Sequence, residues 1–393
     1  MNIQAISTNG KEKEMIATKP IVHNEGNKTT ASFSVQANGK SYDIWFRTQD
    51  LPNGDCSNVA LAATLLPAMK LNLLLRLEGT VSPKLLEGVS KIQEIFNTWD
   101  ESYNLTKVIP ETVSPAKNED GRGIACFFSG GVDSFYTLLK NKEEITHIIL
   151  VHGFDFRSDF KRKEETVKNI SEIASKLGKT LVQVETNLRD FTDEYVSWGF
   201  CHGSALAAVA LLFSGIFRKV LISSSHSFRW LVPRGSHPVV DPLWSIENLE
   251  LIHDGCEATR VKKVAEIAKN DAAMSYLRVC WENREGAYNC GKCEKCLRTM
   301  INLLAVGALK KCKTFTHPLE LSRVAWIEAK DQSTKDFILE NLEEVKKLSA
   351  HSELAQALQE SLDGLYYRGM WGWPRRAMNL LKRKGKFHHA LNA

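Results

Sequence analysis

From residue 124 onward, short apolar runs alternate with helical stretches, and this alternation constrains the fold more than any other feature of the chain. "IACFF" (124–128), "THIILV" (146–151), "TLVQVET" (180–186) and "KVLISSS" (219–225) have the length and composition of β-strands. Between them stand "FYTLLKN", "KEETVKNISEIASKLG" and "HGSALAAVALLFSGIF", which read as helices. Strands separated by helices build βαβ units, so the expected fold is α/β: a parallel sheet with helices on both faces. Ligands bind such sheets at the carboxyl ends of the strands, which directs attention to Ser129, His152, Asn187 and residues 223–226.

The chain has 393 residues, enough for more than one domain. Residues 1–30 are polar and without period, and are expected to be a flexible lead-in. Residues 31–115 read as a small α+β domain. A hairpin turns at Asn38-Gly39, "SNVALAATLLPAMK" forms a helix, "LNLLLRLEGTV" a strand, and an amphipathic helix enters at Ser82-Pro83. "TVSPAKNEDGRG" (112–123) is rich in breakers and serves as the linker. Residues 313–393 are expected to be a helical C-terminal region with a basic tail.

A composition of 43% hydrophobic and 25% charged residues is that of a soluble globular protein, and a net charge of +5 does not by itself argue for nucleic acid. No apolar run approaches the roughly 20 residues of a membrane span, and the start lacks a secretory apolar region, so a cytoplasmic location is expected.

The first strand runs into "SGGVDS", residues 129–134. Glycines after a buried strand let the backbone turn sharply and gather N–H groups into one concavity, and the following helix adds its positive end. Ser129 and Ser134 supply hydroxyls, and Asp133 is a handle for a magnesium ion riding on phosphates. The string lacks the Gly-Lys-Ser/Thr of Walker loops and resembles the signature of the PP-loop ATP pyrophosphatase family. That resemblance implies a PP-loop (HUP-like) domain that cleaves ATP between its α and β phosphates. Ser129, Gly130, Gly131, Val132, Asp133 and Ser134 would hold ATP and Mg²⁺, with Asp133 and Ser134 in catalytic roles. His152 and Asp155, just past the second strand, are candidates for the adenine or ribose. Arg157, Lys161, Arg162 and Lys163 follow in one loop, where they would neutralise departing pyrophosphate.

Nine cysteines is an odd number, and four of them, Cys280, Cys290, Cys293 and Cys296, stand in a C-x9-C-x2-C-x2-C array. Four thiolates suit tetrahedral zinc; an iron–sulfur cluster and plain reduced thiols are the alternatives. Cys56, Cys126, Cys201, Cys256 and Cys312 have no such spacing and are expected as small core residues. A PP-loop followed by this array resembles the 7-cyano-7-deazaguanine synthase group, and the resemblance covers about residues 122–305. It implies one ATP-binding domain over 122–312 with a zinc segment at 280–298. The chemistry implied is adenylation of a carboxylate or amide, with loss of pyrophosphate, then attack by ammonia or an amine with loss of AMP. The substrate that the resemblance implies is a carboxylate on a small molecule, with a deazapurine as one candidate, or on a macromolecule. The alternatives are a thiolation-type tRNA-modifying enzyme and an ATP-binding sensor without turnover.

"SFRWLVPRGSHPVVDPLWSIENLELIHDG" has no counterpart in that group. Its Arg234, Ser236, His237 and Asp241 are candidates to meet substrate, against the alternative of a packed surface loop. No Ser/His/Asp arrangement stands out. His202 and Ser204, at the start of an apolar helix, are as readily caps as catalytic groups. The tail carries Arg375, Arg376, Lys382, Arg383, Lys384 and Lys386 among Trp371, Trp373 and Phe387. It suits a nucleic-acid or membrane surface or a docked helix, and the N-terminal domain is a candidate surface for a protein partner.

Overall fold

The computed structural model describes residues 13–49, 56–117, 122–154, 160–282, 284–329 and 331–367. They form two compact units. The first takes the described residues up to Ser129 with 137–224 and 233–256, and the second takes 130–136, 225–232 and the described residues from Glu257 on.

The first unit is built on eleven strands: β1 (Glu14–Ala17), β2 (Ile21–Glu25), β3 (Lys28–Ala37), β4 (Lys40–Thr48), β5 (Leu74–Val81), β6 (Val108–Val113), β7 (Gly123–Phe127), β8 (His147–His152), β9 (Thr180–Thr186), β10 (Phe217–Ser223) and β11 (Glu250–Asp254). They make one mostly parallel sheet in the order β11, β10, β7, β8, β9, β4, β3, β1, β5, β6, with β2 on β3. The five strands from β7 to β11 pair in parallel. With β8 on one side of β7 and β10 on the other, the strand order reverses at β7, and the turn after β7 opens at that switch point.

The apolar runs explain the burial. In β7 and β8 nearly every residue is buried, as in a sheet covered on both faces. In β3 burial alternates strictly, so that strand buries one face. The hairpin is as expected, with Asn38 and Gly39 both at positive φ (50° and 77°) between β3 and β4. Helices α1 (Ser57–Leu71), α2 (Pro83–Trp99), α3 (Val132–Lys140), α4 (Phe160–Lys176), α5 (Leu188–Thr192) and α6 (Trp198–Leu212) complete this part of the chain, α3 starting in the second unit and ending in the first. Ser82 accepts the Leu85 N–H at 3.1 Å and caps α2, whose first residue is Pro83. Helices α1 and α6 are apolar almost all round and pack on each other in the core, beside Phe46, Phe96, Val184 and Trp244.

Two expectations are corrected. Part of the supposed lead-in is strand: β1 lies between β3 and β5, with Met15 and Ala17 fully buried. Four residues are too few for a period to show in the sequence. The strands assigned to a separate N-terminal domain also continue the same sheet, because β4 pairs antiparallel with β9 through Phe46↔Thr186 and Arg47↔Glu185.

The second unit is helical: α7 (Arg260–Ile267), α8 (Asp271–Tyr276), α9 (Glu294–Ala305), α10 (Leu321–Ala325), α11 (Gln332–Val345) and α12 (Ser352–Tyr367). Leu297, Ile301, Val324, Ile338, Leu342 and Leu358 form its apolar core. Asp331 caps α11 by accepting the Thr334 N–H at 2.8 Å.

Candidate functional site

After β7 the chain turns through Ser129, which is exposed, and Gly130 at φ +77°. A Cβ at Gly130 would come no nearer than 3.8 Å to another atom, so glycine is required there by backbone conformation and not by space. The Gly130 carbonyl accepts the Arg278 N–H at 2.8 Å. Helix α3 then begins; Ser134 Oγ donates to the Gly131 carbonyl at 3.1 Å and Val132 is fully buried. Further along α3, Thr137 Oγ1 and Lys140 Nζ bond the Asp254 carboxylate at 2.8 and 2.9 Å, which anchors the helix to the end of β11.

Within the second unit, Asp133 meets buried cations. Its Oδ2 accepts Arg260 Nη1 at 2.8 Å and its Oδ1 lies 3.4 Å from Lys263 Nζ. Burial would raise the Asp133 carboxyl, but the charges of Arg260 and Lys263, the Arg260 hydrogen bond and the charge of Arg298 prevail and hold it well below the usual carboxylate range. Arg298, on α9, lies 3.4 Å from Glu294 and sets its guanidinium 3.8 Å from the Phe337 ring centroid. Burial pushes Arg298 down to about 10. Glu340, one turn past Phe337 on α11, accepts the Val261 N–H at 2.8 Å at the start of α7. Burial raises the Glu340 carboxyl against the opposing pull of that bond and of Arg260. Three buried cations, Arg260, Lys263 and Arg298, thus gather about Asp133, with Glu294 and Glu340 among them, and a fourth, Arg278, is buried beside Gly130. Cations are rarely buried without a partner, and an anion is the natural complement to such a group. Of the four, sequence reasoning singled out only Arg298, and that as a charge offsetting the four thiolates together with Lys292 and Lys295. Arg260 and Lys263 share a face of α7 by their i, i+3 spacing, but nothing in that spacing tells a buried face from a solvated one.

The four cysteines come together as expected. Their sulfurs lie within 4.8 Å of one another and all four residues are buried, so they could hold a metal ion. Cys280 to Cys293 and Cys290 to Cys296 are each 3.9 Å apart. A tetrahedral ion with sulfur at about 2.3 Å separates its ligands by about 3.8 Å, which matches. The N–H groups of Lys292 and Cys293 point at Cys290 Sγ, at 3.4 and 3.3 Å. Asn289 fastens the preceding segment, accepting from Val279 and Cys280 and donating to Leu277 and Thr314. The hydrogen bond between Cys293 and Cys280 is the first cause pushing Cys293 up to about 12, so ionised thiolates at this density call for a cation among them. Cys280 lies two residues after Arg278, and Cys296 two residues before Arg298. The other five cysteines are buried, as expected of core residues.

The structure brings Ser236, His237 and Asp241 together, around a residue that sequence reasoning missed. Asp241 is fully buried; its Oδ2 accepts His253 Nδ1 and Ser236 Oγ, both at 2.7 Å, and its Oδ1 accepts the His237 N–H at 3.3 Å. Ser236 bonds the carboxylate, and His253 Nε2 has no hydrogen-bond partner, so this is not a nucleophile triad. Burial alone would lower His253; the bond to Asp241, then Cys256 and the Asp241 charge, raise it to about 9. The segment also crosses α6 backbone to backbone. A Cβ at Gly203 would stand 1.9 Å from the Gly235 carbonyl, and Gly235 N–H donates to Gly199 at 3.0 Å. Asp241 therefore secures its own loop; Arg234, Ser236 and His237 are half-buried. His253 carried no signal beyond its place in an apolar run.

The remaining candidates sort as follows. His152 ends β8 with Nε2 3.4 Å from Gln183 Oε1, and burial, then Lys163, lowers its pKa. Lys163 is ion-paired with Glu185. Asn187 joins β4, accepting from Trp45 and donating to Asp43. His202 and Ser204 lie inside α6, not at its cap, which is Ser197, and they bond carbonyls of their own helix. Asp155 and Arg157, the side chains of Lys161 and Arg162, and the basic tail from 368 on lie outside the described residues.

The chain matches no protein-family model and no curated protein sequence. Among the described residues, no helix is long and apolar enough to cross a membrane.

Proposed function

We propose that this chain is a PP-loop ligase that adenylates a carboxylate and passes the acyl group to ammonia or an amine. The observation that carries the reading is the gathering of Arg260, Lys263, Arg278 and Arg298, all buried, at the glycine turn that follows β7. The strand order, with its reversal at β7, supports a HUP-like fold, and open α/β sheets bind ligands at such a reversal.

In this reading the N–H groups of residues 130–134 donate to phosphate oxygens. A substrate carboxylate oxygen attacks the α-phosphorus, the bond to the β-phosphate bridging oxygen breaks, and the pyrophosphate charge is met by Arg260 and Lys263. The amine then attacks the acyl carbon, AMP leaves, and the amine's proton passes to solvent or a base. Magnesium would be held by Asp133 and would supply positive charge to offset the negative charge of the phosphates. Zinc would be held by Cys280, Cys290, Cys293 and Cys296; sulfurs 3.9 Å apart suit one ion and leave no room for a multi-iron cluster. Its contribution is to fix Arg278 and Arg298. The thiolation alternative is less favoured, because all nine cysteines are buried.

The test is to screen carboxylates with ATP and an amine and to follow pyrophosphate and AMP. Their stoichiometric release is expected. Release of ADP and phosphate with the true substrate refutes the mechanism, and ATP binding without AMP from any carboxylate favours a sensor.

A further inference from the structure

Three of the four clustered cysteines come from one short stretch. Cys290, Cys293 and Cys296 fall within seven residues, and the N–H groups of Lys292 and Cys293 wrap that stretch about Cys290 Sγ at 3.4 and 3.3 Å. Cys280 stands ten positions before Cys290, so nothing local delivers it to the others.

What delivers it is the side chain of Asn289. Its Oδ1 accepts the N–H groups of Val279 and Cys280 at 2.9 and 3.2 Å, and its Nδ2 donates to the Leu277 carbonyl at 2.8 Å and to Thr314 Oγ1 at 3.0 Å. A carboxamide has two acceptor lone pairs and two donor hydrogens, and here all four are used. Asn289, Leu277, Val279 and Cys280 are all buried, so water does not compete for these bonds. Tyr288 adds a further tie, donating its hydroxyl to the Tyr276 carbonyl at 3.1 Å. Residues 276–280 are thereby fastened to 288–289, which lead directly into the ligand Cys290.

The same segment reaches the glycine turn. Arg278, between two residues bound by Asn289, donates its N–H to the Gly130 carbonyl at 2.8 Å. That carbonyl shares a planar trans peptide with the Gly131 N–H, so fixing the one aims the other in the opposite direction.

We propose that Asn289 is a positioning residue with two effects: it brings Cys280 to the metal, and through Arg278 it orients the Gly130–Gly131 peptide whose N–H would meet phosphate. The second effect rests on the nucleotide reading above; the first does not.

The test compares the full chain with its Asn289→Ala and Asn289→Asp variants, loaded with cobalt for spectroscopy and with zinc for binding. Alanine removes all four bonds, whereas aspartate keeps both acceptor positions and loses the donors. Wild type is expected to show the charge-transfer intensity of four thiolates, and Asn289→Ala about a quarter less, as Cys280 falls away. Zinc affinity, read by competition with a chromophoric chelator, is expected to drop about 10- to 100-fold in Asn289→Ala, the range for residues that orient a metal ligand. ATP affinity of the zinc-saturated chain, read calorimetrically, is expected to fall on the order of tenfold in the same variant. Asn289→Asp is expected to keep the four-thiolate spectrum and to lie nearer wild type in both affinities. An asparagine that served only stability would lower the melting temperature of Asn289→Ala and leave its cobalt spectrum unchanged, and that result overturns the proposal. Unchanged ATP affinity beside a changed spectrum refutes the second effect alone. Wild type that binds no ATP refutes the nucleotide reading, while the cobalt and zinc results still decide the first effect. Should Asn289→Ala not fold, Asn289→Asp carries the test, and a three-thiolate spectrum there overturns the proposal.

Discussion

Replacing Asp241 with Asn makes a quantitative test of the pair that secures the 234–241 segment. His253 is raised from 6.5 to about 9, with its side chain 4% exposed and its Nδ1 2.7 Å from Asp241. A displacement of that size is about 3 kcal/mol of preference for the charged imidazole in the folded state. Because the folded pKa is the higher one, this stability is fully present below about 6.5 and is lost as pH rises through about 9. His237 and His202 are both lowered, first by burial, which moves them away from the region near pH 9 where His253 titrates. Urea unfolding, followed by near-ultraviolet circular dichroism from pH 6 to 9.5, gives the difference between wild type and Asp241→Asn. That difference is expected to be about 3 kcal/mol at pH 6 and to shrink towards zero above pH 9. The Asn carbonyl still accepts from neutral His253, so little else distinguishes the two proteins at high pH. A difference that stays constant across the window refutes the charged pair and leaves only a neutral hydrogen bond.

Other perturbations test other parts. Cys293→Ser is expected to release the bound metal, detected with a zinc indicator, and to weaken pyrophosphate binding, because Arg278 and Arg298 sit two residues from ligands; unchanged affinity refutes that link. Gly130→Ala forces a side chain into the left-handed region at a cost of about 1–2 kcal/mol and should weaken ATP binding measured by calorimetry while secondary structure is kept. Gly203→Ala places a Cβ 1.9 Å from the Gly235 carbonyl and should lower the melting temperature far more than Gly199→Ala, whose Cβ meets nothing within 4 Å. Phe337→Ala removes the ring beside Arg298 and should cost about 3 kcal/mol in unfolding free energy.

What the sequence disclosed was mostly local. The βαβ alternation, the Asn38-Gly39 hairpin, the Ser82-Pro83 helix start and the four-cysteine array each depend on residues close together in the chain, where spacing is direct evidence of geometry. What it hid was convergence. Asp133 meets Arg260 and Lys263 across more than a hundred residues, and Asp241 finds its partner on β11, a short strand embedded in a segment that reads as loop. The join between β4 and β9 rests on two residue pairs, Phe46↔Thr186 and Arg47↔Glu185, which no periodicity marks. The C-terminal helices looked like an appendage, yet α11 carries Phe337 and Glu340 against the cations of the site.

Strand β11 places two neighbouring residues on opposite faces of the sheet. Asp254 grips α3, the helix that leaves the glycine turn, while His253 grips Asp241 in the segment that differs from the resembled group. A slip of one residue in this edge strand would exchange the two grips and release both the helix and the segment together. The 236–241 segment and the helix after the glycine turn are therefore held by adjacent residues, His253 and Asp254, of one short edge strand.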